Sequence, residues 1–95
     1  MITIIAKSII KEGSKEYFKK NAKELINESR KEEGCISYNL YEDLKNKEIM
    51  VFLDEWKDEK SIEMHKNSEH YKRIIPILNK FRKGPSEITL LKKTK

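Results

Sequence analysis

Apolar side chains recur along the chain with two different periods. Residues 2–10, ITIIAKSII, are apolar at both alternating sets of positions, which is typical of a β-strand covered on both faces. The spacing then becomes helical, with lysine and glutamate opposite the apolar stripe, and predicts a helix over 15–32. We expect Gly13 and Ser14 to begin this helix and Gly34 to end it as a C-terminal glycine. The predicted stripe consists of Tyr17, Phe18, Ala22, Leu25, Ile26 and Ser29.

Alternation returns in the middle of the chain and predicts a hairpin. Its strands cover 35–42 and 48–56, and the polar stretch 43–47 forms the loop between them. In the second of these strands Asp54 and Trp56 are two residues apart, so they share a face. The two faces of that strand are Met50, Phe52, Asp54 and Trp56 against Ile49, Val51, Leu53 and Glu55.

The last third of the chain predicts two short helices and a final strand. Asp58 caps a helix through about Lys66, and Ser68 caps another in which Pro76 should kink or divide the helix. Residues 86–92 form the last strand. The resulting order is β-α-β-β-α-β, with the second helical position split in two. This order predicts a ferredoxin-like α+β fold with an antiparallel sheet.

The strands carry more apolar surface than one layer of helices can cover. In an antiparallel sheet of this size the helices cover one face, and side chains such as Ile49, Val51 and Leu53 remain on the other. A second copy packed sheet against sheet is the simplest cover. The pattern therefore predicts a homodimer.

Composition and charge limit the classes of function. A chain of 95 residues with 37% hydrophobic and 39% charged residues is expected to form one domain over residues 1–95. The net charge of +5 lies in residues 80–95, which hold six basic residues and one acidic residue. Elsewhere lysine and glutamate alternate without a basic, aromatic-rich face, so we expect no specific nucleic-acid partner.

The expected location is the cytoplasm. No apolar run approaches the roughly 20 residues that span a bilayer, and the start of the chain lacks a signal-peptide pattern, so no membrane partner is expected. Cys35 is the single cysteine, which excludes an internal disulfide and fits a reducing compartment.

Candidate chemistry clusters between Asp54 and Tyr71. His65 is the candidate general base or hydrogen-bond donor to a substrate. A half-buried structural histidine near a helix end would give the same sequence pattern. Asp54 lies on an otherwise apolar face and needs a partner, which could be His65 or a backbone amide. His65 and His70 are five residues apart across a helix break, and no third ligand is evident, so we expect no metal.

A flat ligand could be held by the aromatic side chains around this segment. Trp56, Tyr38, Tyr41 and Tyr71 could each wall a pocket or belong to the core. The three glycines are isolated, and no phosphate loop or dinucleotide fingerprint occurs, so no cofactor is expected.

Three short elements together resemble the antibiotic biosynthesis monooxygenase domain family. They are Glu33-Gly34-Cys35 followed by Tyr38, the segment Asp54–Asp58 with its central Trp56, and the segment His65–Tyr71. The resemblance implies a dimeric α/β barrel of two ferredoxin-like protomers. Asp54 stands where the family usually has glutamate.

The resemblance implies three kinds of chemistry. The family includes quinol monooxygenases that use dioxygen without metal or flavin, haem-degrading relatives, and an isomerase of a phosphorylated signal. The Asn, Trp and His of the haem-degrading branch correspond to Lys7, His65 and Ile75, so haem degradation is not expected. The leading hypothesis is a monooxygenase of a small quinol or other aromatic substrate, with an isomerase or a non-catalytic binding domain as alternatives.

Each candidate residue then has an expected role. His65 would deprotonate or hydrogen-bond a substrate hydroxyl, and Asp54 would orient His65. A basic lining from Lys7, Lys66 or Arg73 would instead favour a phosphorylated substrate. The predicted substrate-binding residues are Trp56, Tyr71, His70, Tyr38 and Asn39.

Overall fold

The first strand lies inside the sheet, between strands from later in the chain. The computed structural model describes residues 1–95. The sheet order is β2-β3-β1-β4, and every neighbouring pair is antiparallel. The predicted ferredoxin-like α+β fold is confirmed, including the split second helical position. The elements are β1 (Ile2–Ile9), α1 (Lys15–Ser29), β2 (Cys35–Glu42), β3 (Ile49–Trp56), α2 (Glu59–Lys66), α3 (Glu69–Asn79) and β4 (Glu87–Lys92).

Strand β3 separates the two faces of the sheet as its alternation predicts. Met50, Phe52, Asp54 and Trp56 are all buried under the helices. Their neighbours on the other face are only partly covered. Side chains from α1, β2, α2 and α3 complete the core around the buried face: Phe18, Ala22, Leu25, Tyr38, Ile62, Ile74 and Leu78.

Helix α1 is shorter than predicted, and Gly34 does not end it. The helix stops at Ser29, and the chain continues in tight turns in which Lys31 and Glu32 donate to carbonyls three residues back. Gly34 has no positive φ, so the predicted C-terminal glycine is wrong. Tyr17 lies at the edge of the stripe and is 62% exposed, stacked on Phe81.

Gly34 is required because α2 approaches the backbone at this point. A Cβ built on Gly34 would lie 2.0 Å from Ser61 Oγ and 2.3 Å from Ser61 Cβ. The Ser61 hydroxyl is itself held by Asp58 at 2.7 Å, so it cannot move away freely. Gly34 therefore lets the turn after α1 pack directly against α2.

Gly34→Ala should lower the free energy of unfolding by about 1–3 kcal/mol because it overpacks this contact. Chemical denaturation measures the effect. In a Ser61→Gly background the added methyl has room, and most of the cost should disappear. An equal cost in both backgrounds would contradict the proposed clash.

The caps of the later helices are confirmed, but the break at Pro76 is not. The Asp58 side chain accepts from the Ser61 amide at 2.8 Å, and Ser68 Oγ accepts from the Tyr71 amide at 3.3 Å. Helix α3 runs through Pro76 to Asn79 without division. Pro76 and Lys72 are both exposed, so water can satisfy the carbonyl that the missing N–H leaves free.

The second face of the sheet and the whole of β4 have little cover. All residues of β4 are exposed, including Ile88, Leu90 and Leu91. Tyr41 and Ile9 on the face away from the helices are 51% and 48% exposed. No helix combines the length and apolar character that a bilayer span requires.

Candidate functional site

A cavity of about 520 Å³ lies between the sheet and helices α2 and α3. Most of its wall is apolar, with side chains such as Ile4, Phe52 and Ile75 from the sheet and α3. This volume is in the range of small-molecule sites. The polar side chains that line it are Tyr38, Asp54, His65, Lys66, Tyr71, Asn79, Arg82 and Ser86.

One carboxylate oxygen links both histidines of the chain. Glu32 Oε2 lies 2.6 Å from His65 Nδ1 and 2.8 Å from His70 Nε2. The turn after α1 supplies Glu32, the end of α2 supplies His65, and the start of α3 supplies His70. The His65 side chain is 5% exposed and that of Glu32 is 17% exposed, so water screens this pair weakly.

The bond to Glu32 determines which nitrogen of His65 can act on a ligand. A carboxylate only accepts, so His65 Nδ1 carries the proton and donates it to Glu32. Burial lowers the pKa of His65 below its ordinary value, against the opposing effect of Glu32. The imidazole is therefore neutral at pH 7, and Nε2 keeps a lone pair with no protein partner. Since His65 lines the cavity, that lone pair is available to a bound hydroxyl.

Asp54 is paired differently from what the sequence suggested. Its Oδ2 accepts from the Trp56 indole N–H at 2.5 Å, and His65 is bound by Glu32 instead. The expectation that Asp54 orients His65 is therefore wrong. Burial raises the pKa of Asp54 to about 6, despite the opposing indole hydrogen bond. A cavity carboxyl group that titrates near neutral pH is suited to proton transfer.

Aromatic rings surround His65 on several sides. The Trp56 ring lies 4.5 Å from the imidazole, and the Tyr71 ring lies 4.9 Å from it at a steep angle. Trp56 is fully buried and packs behind His65 without lining the cavity, so its predicted role as a pocket wall is wrong. Tyr38 and Tyr71 do line the cavity, as predicted. Burial raises the pKa of Tyr38, which keeps its hydroxyl protonated.

The three residues Glu32, His65 and His70 also form the one group of side chains that could hold a metal ion. Their candidate ligand atoms all lie within 4.8 Å of one another. Glu32 is the third candidate ligand, and the sequence did not reveal it. The nitrogen–oxygen distances are those of hydrogen bonds, and one oxygen serves both imidazoles, so the arrangement as it stands is a proton-sharing triad.

A match to a known protein family shows to which family this chain belongs. The antibiotic biosynthesis monooxygenase family matches residues 1–76 of the 95. The chain belongs to this family.

Individual proteins similar to this family member match most or all of the chain. A protein from Bacillus subtilis (strain 168), named "Putative monooxygenase YcnE", is 32% identical over 75 residues, which is 79% of each chain. The crystal structure of a conserved protein from Methanosarcina mazei Go1 is 41% identical with a TM-score of 0.96, over 98% of this chain and 92% of that one. A crystal structure described as an antibiotic biosynthesis monooxygenase is 27% identical, covers both chains fully and has a TM-score of 0.93.

Two more predicted binding residues lie outside the cavity of this family member. Asn39 is opposite Leu53, on the face of the sheet away from the helices, where its side chain accepts from Arg30 at 2.8 Å. His70 lies on the far side of Glu32 and does not line the cavity. Burial raises the pKa of the Cys35 thiol to about 11, so this cysteine is not a thiolate nucleophile at neutral pH.

Sequence reasoning missed two residues that shape the site. Glu32 directly precedes the motif Glu33-Gly34-Cys35, but its surroundings are charged and nothing in the pattern separates it from a surface glutamate. Arg82 belongs to the basic end of the chain, yet it is 9% exposed and lines the cavity. The sequence did contain one signal for Arg82, since this charged residue directly follows Phe81 at the end of an apolar stripe.

Proposed function

We propose that this family member is a cytoplasmic monooxygenase that oxidises a small quinol or related hydroxy-aromatic with dioxygen. One observation carries the proposal: a neutral His65, bonded through Nδ1 to Glu32, lines a largely apolar cavity and keeps an Nε2 with no protein partner. Such a cavity accepts a flat ring, and the imidazole accepts the proton of the ring's hydroxyl.

Proton removal prepares the substrate for dioxygen. When His65 Nε2 takes the hydroxyl proton, the positive imidazolium is stabilised by the hydrogen bond from Nδ1 to Glu32. The resulting aromatic anion is electron-rich and can give an electron to dioxygen directly. Glu32 is a positioning residue in this scheme, and His65 is the group that touches substrate.

The proposed reaction balances without an external reductant. The substrate anion and dioxygen form a carbon–oxygen bond at the ring, which leaves a hydroperoxide. The O–O bond then breaks: one oxygen atom stays on the carbon as a carbonyl and the other leaves as water with two hydrogens of the substrate. A quinol plus dioxygen therefore yields a hydroxyquinone and water, and the substrate supplies all of the electrons. In this scheme Asp54, with its pKa of about 6, would return a proton to the departing oxygen.

Oxygen consumption with a panel of hydroquinones tests the proposal. The purified protein should consume dioxygen in a one-to-one ratio with substrate, at a rate that scales with protein concentration. Hydroquinones oxidise slowly by themselves, so each rate is compared with that of the protein-free solution. Rates equal to this background for every hydroquinone would reject the monooxygenase proposal.

The reaction should not depend on a metal or flavin. We expect purified protein to show no flavin absorption band and no stoichiometric metal by elemental analysis. Treatment with a chelator followed by desalting should leave the rate of oxygen consumption unchanged. A rate that is lost on chelation and regained with one metal would instead indicate a metal site at Glu32, His65 and His70.

An isomerase is the second candidate, and Lys66 is the observation that favours it. Of the three basic residues expected to bind a phosphorylated substrate, Lys66 lines the cavity, whereas Lys7 and Arg73 do not. His65 and Asp54 would then act as an acid–base pair on a keto sugar. Interconversion of a phosphorylated keto substrate under nitrogen would support this function, since it needs no dioxygen.

We also propose that the active form is a homodimer joined through the uncovered sheet face. The support is the row of apolar side chains away from the helices, among them Ile5, Val51 and Leu53, only half covered in a single chain. Sedimentation equilibrium at micromolar concentration should give twice the mass of the 11.3 kDa chain. Val51→Glu should shift the protein toward monomer, and a compact monomer of the unmodified chain would contradict the proposal.

A further inference from the structure

Arg82 is a buried cation held in place by neutral partners. Arg82 lies in the segment between α3 and β4, and it is 9% exposed. Nε donates to Ser8 Oγ at 2.9 Å, and Nη1 donates to Asn79 Oδ1. Ser8 Oγ also lies 2.9 Å from Ser86 Oγ, so the side chain is locked from two sides. The guanidinium stands 5.7 Å from the centre of the Phe18 ring.

No acidic side chain compensates this charge. None of the ion pairs in the structure includes Arg82, and its side-chain hydrogen bonds go to the neutral groups of Ser8 and Asn79. Nη2 makes no hydrogen bond to the protein. Burying a cation without a counter-ion is costly, and an anion bound beside Arg82 would offset that cost.

Arg82 is also positioned to contact a ligand in the cavity. It lines the same cavity as His65, together with Asn79, Ser86 and the second cation Lys66. Asp54 is the one carboxyl group in the lining, and it lies toward the other end of β1: Asp54 pairs with Ile4, and Arg82 bonds Ser8. At about 3.3 Å per residue these two positions of the strand are roughly 13 Å apart.

We propose that Arg82, with Ser86 beside it, forms an oxyanion subsite for a carboxylate or phosphate group of the substrate. The anionic group binds at Arg82 while the hydroxyl-bearing ring extends toward His65 and Asp54. This inference rests on the proposed function for the reacting ring. It adds that the natural substrate is an acidic aromatic and not a neutral quinol.

The test compares an anionic ligand with its neutral ester. The probes are 2,5-dihydroxyphenylacetate and its methyl ester, with 4-hydroxyphenyl phosphate as the phosphate arm. Binding is measured by calorimetry without oxygen, so that no probe is oxidised. The unmodified protein should bind the acid about 10- to 100-fold more tightly than the ester, as expected for a charge-assisted hydrogen bond in a partly closed site. Binding of 4-hydroxyphenyl phosphate is compared in the same way with that of hydroquinone, its neutral parent, and shows whether the subsite also accepts a phosphate.

Variants of Arg82 assign the effect to this side chain. Arg82→Met should reduce the preference for the acid to near one, and Arg82→Lys should keep part of it. Arg73→Met is the matched control, because Arg73 is paired with Glu24 and Glu69 on the surface and its loss should leave the preference unchanged. Circular dichroism checks that each variant is folded.

The outcomes separate the subsite from the proposed reaction. Equal binding of the acid and ester by the unmodified protein would overturn the subsite, even if Arg82→Met fails to fold. A preference that persists in folded Arg82→Met would overturn it as well. Preferential binding of an anion with no oxygen consumption supports the subsite and rejects the monooxygenase, whereas turnover of both probes without preference does the reverse.

Discussion

His65→Ala should reduce quinol-dependent oxygen consumption by about 10²- to 10⁴-fold, the usual contribution of a general base. The variant removes the Nε2 lone pair that is proposed to accept the substrate hydroxyl proton, and no other histidine lines the cavity. Turnover is measured with saturating substrate above the protein-free background. Full turnover by a folded His65→Ala protein would show that His65 is not the base.

His70 and Glu32 provide matched comparisons for this result. His70→Ala keeps the bond between His65 and Glu32, so it should lower turnover much less than His65→Ala does. Glu32→Gln should lower kcat while leaving KM nearly unchanged, because Glu32 acts through His65 and does not line the cavity. A raised KM with unchanged kcat would instead mean that Glu32 shapes the pocket and has no part in orienting the base.

Asp54→Asn should stabilise the protein at neutral pH by about 2–3 kcal/mol, the free-energy equivalent of raising a pKa from 3.8 to about 6. The folded state holds this proton more tightly than the unfolded state does. Stability therefore falls as the pH rises from the ordinary pKa of Asp to about 6, and it stays lower above that pH. The amide oxygen of asparagine can still accept the Trp56 N–H, so the variant keeps the hydrogen bond and removes the buried charge.

The pH dependence separates this cause from a general change in packing. Denaturation at fixed protein concentration should show a stability difference between variant and unmodified protein that is large at pH 8 and close to zero at pH 4. Titration of His65 affects both proteins and cancels in the difference. A stability gain of equal size at both pH values would contradict burial of the charged carboxylate as its cause.

Most of the fold could be predicted because its pattern is local. Alternation in 48–56 places Asp54 and Trp56 on one buried face, and Asp58 and Ser68 form side-chain caps as their residue types predict. The prediction for Gly34 is wrong because a glycine after a helix favours a positive-φ ending, whereas here the absence of Cβ allows a contact with α2. That contact joins residues far apart in sequence, and no local rule encodes it.

The candidate site could be predicted only in part. His65 lies at the cavity because it is three residues after Ile62, on the buried face of α2. Its partner could not be inferred, because Glu32 is 33 residues away and reaches His65 only through the turns after α1. Asp54 takes the nearest buried donor, the Trp56 indole, and this leaves the histidine to Glu32.

Oxygen labelling tests the central claim most directly. The unmodified protein is supplied with a quinol under labelled dioxygen, and the product and water are analysed by mass spectrometry. The proposed reaction predicts one labelled oxygen atom in the hydroxyquinone and the other in water. A product without label, with the labelled oxygen recovered as peroxide, would contradict oxygen insertion in this cavity.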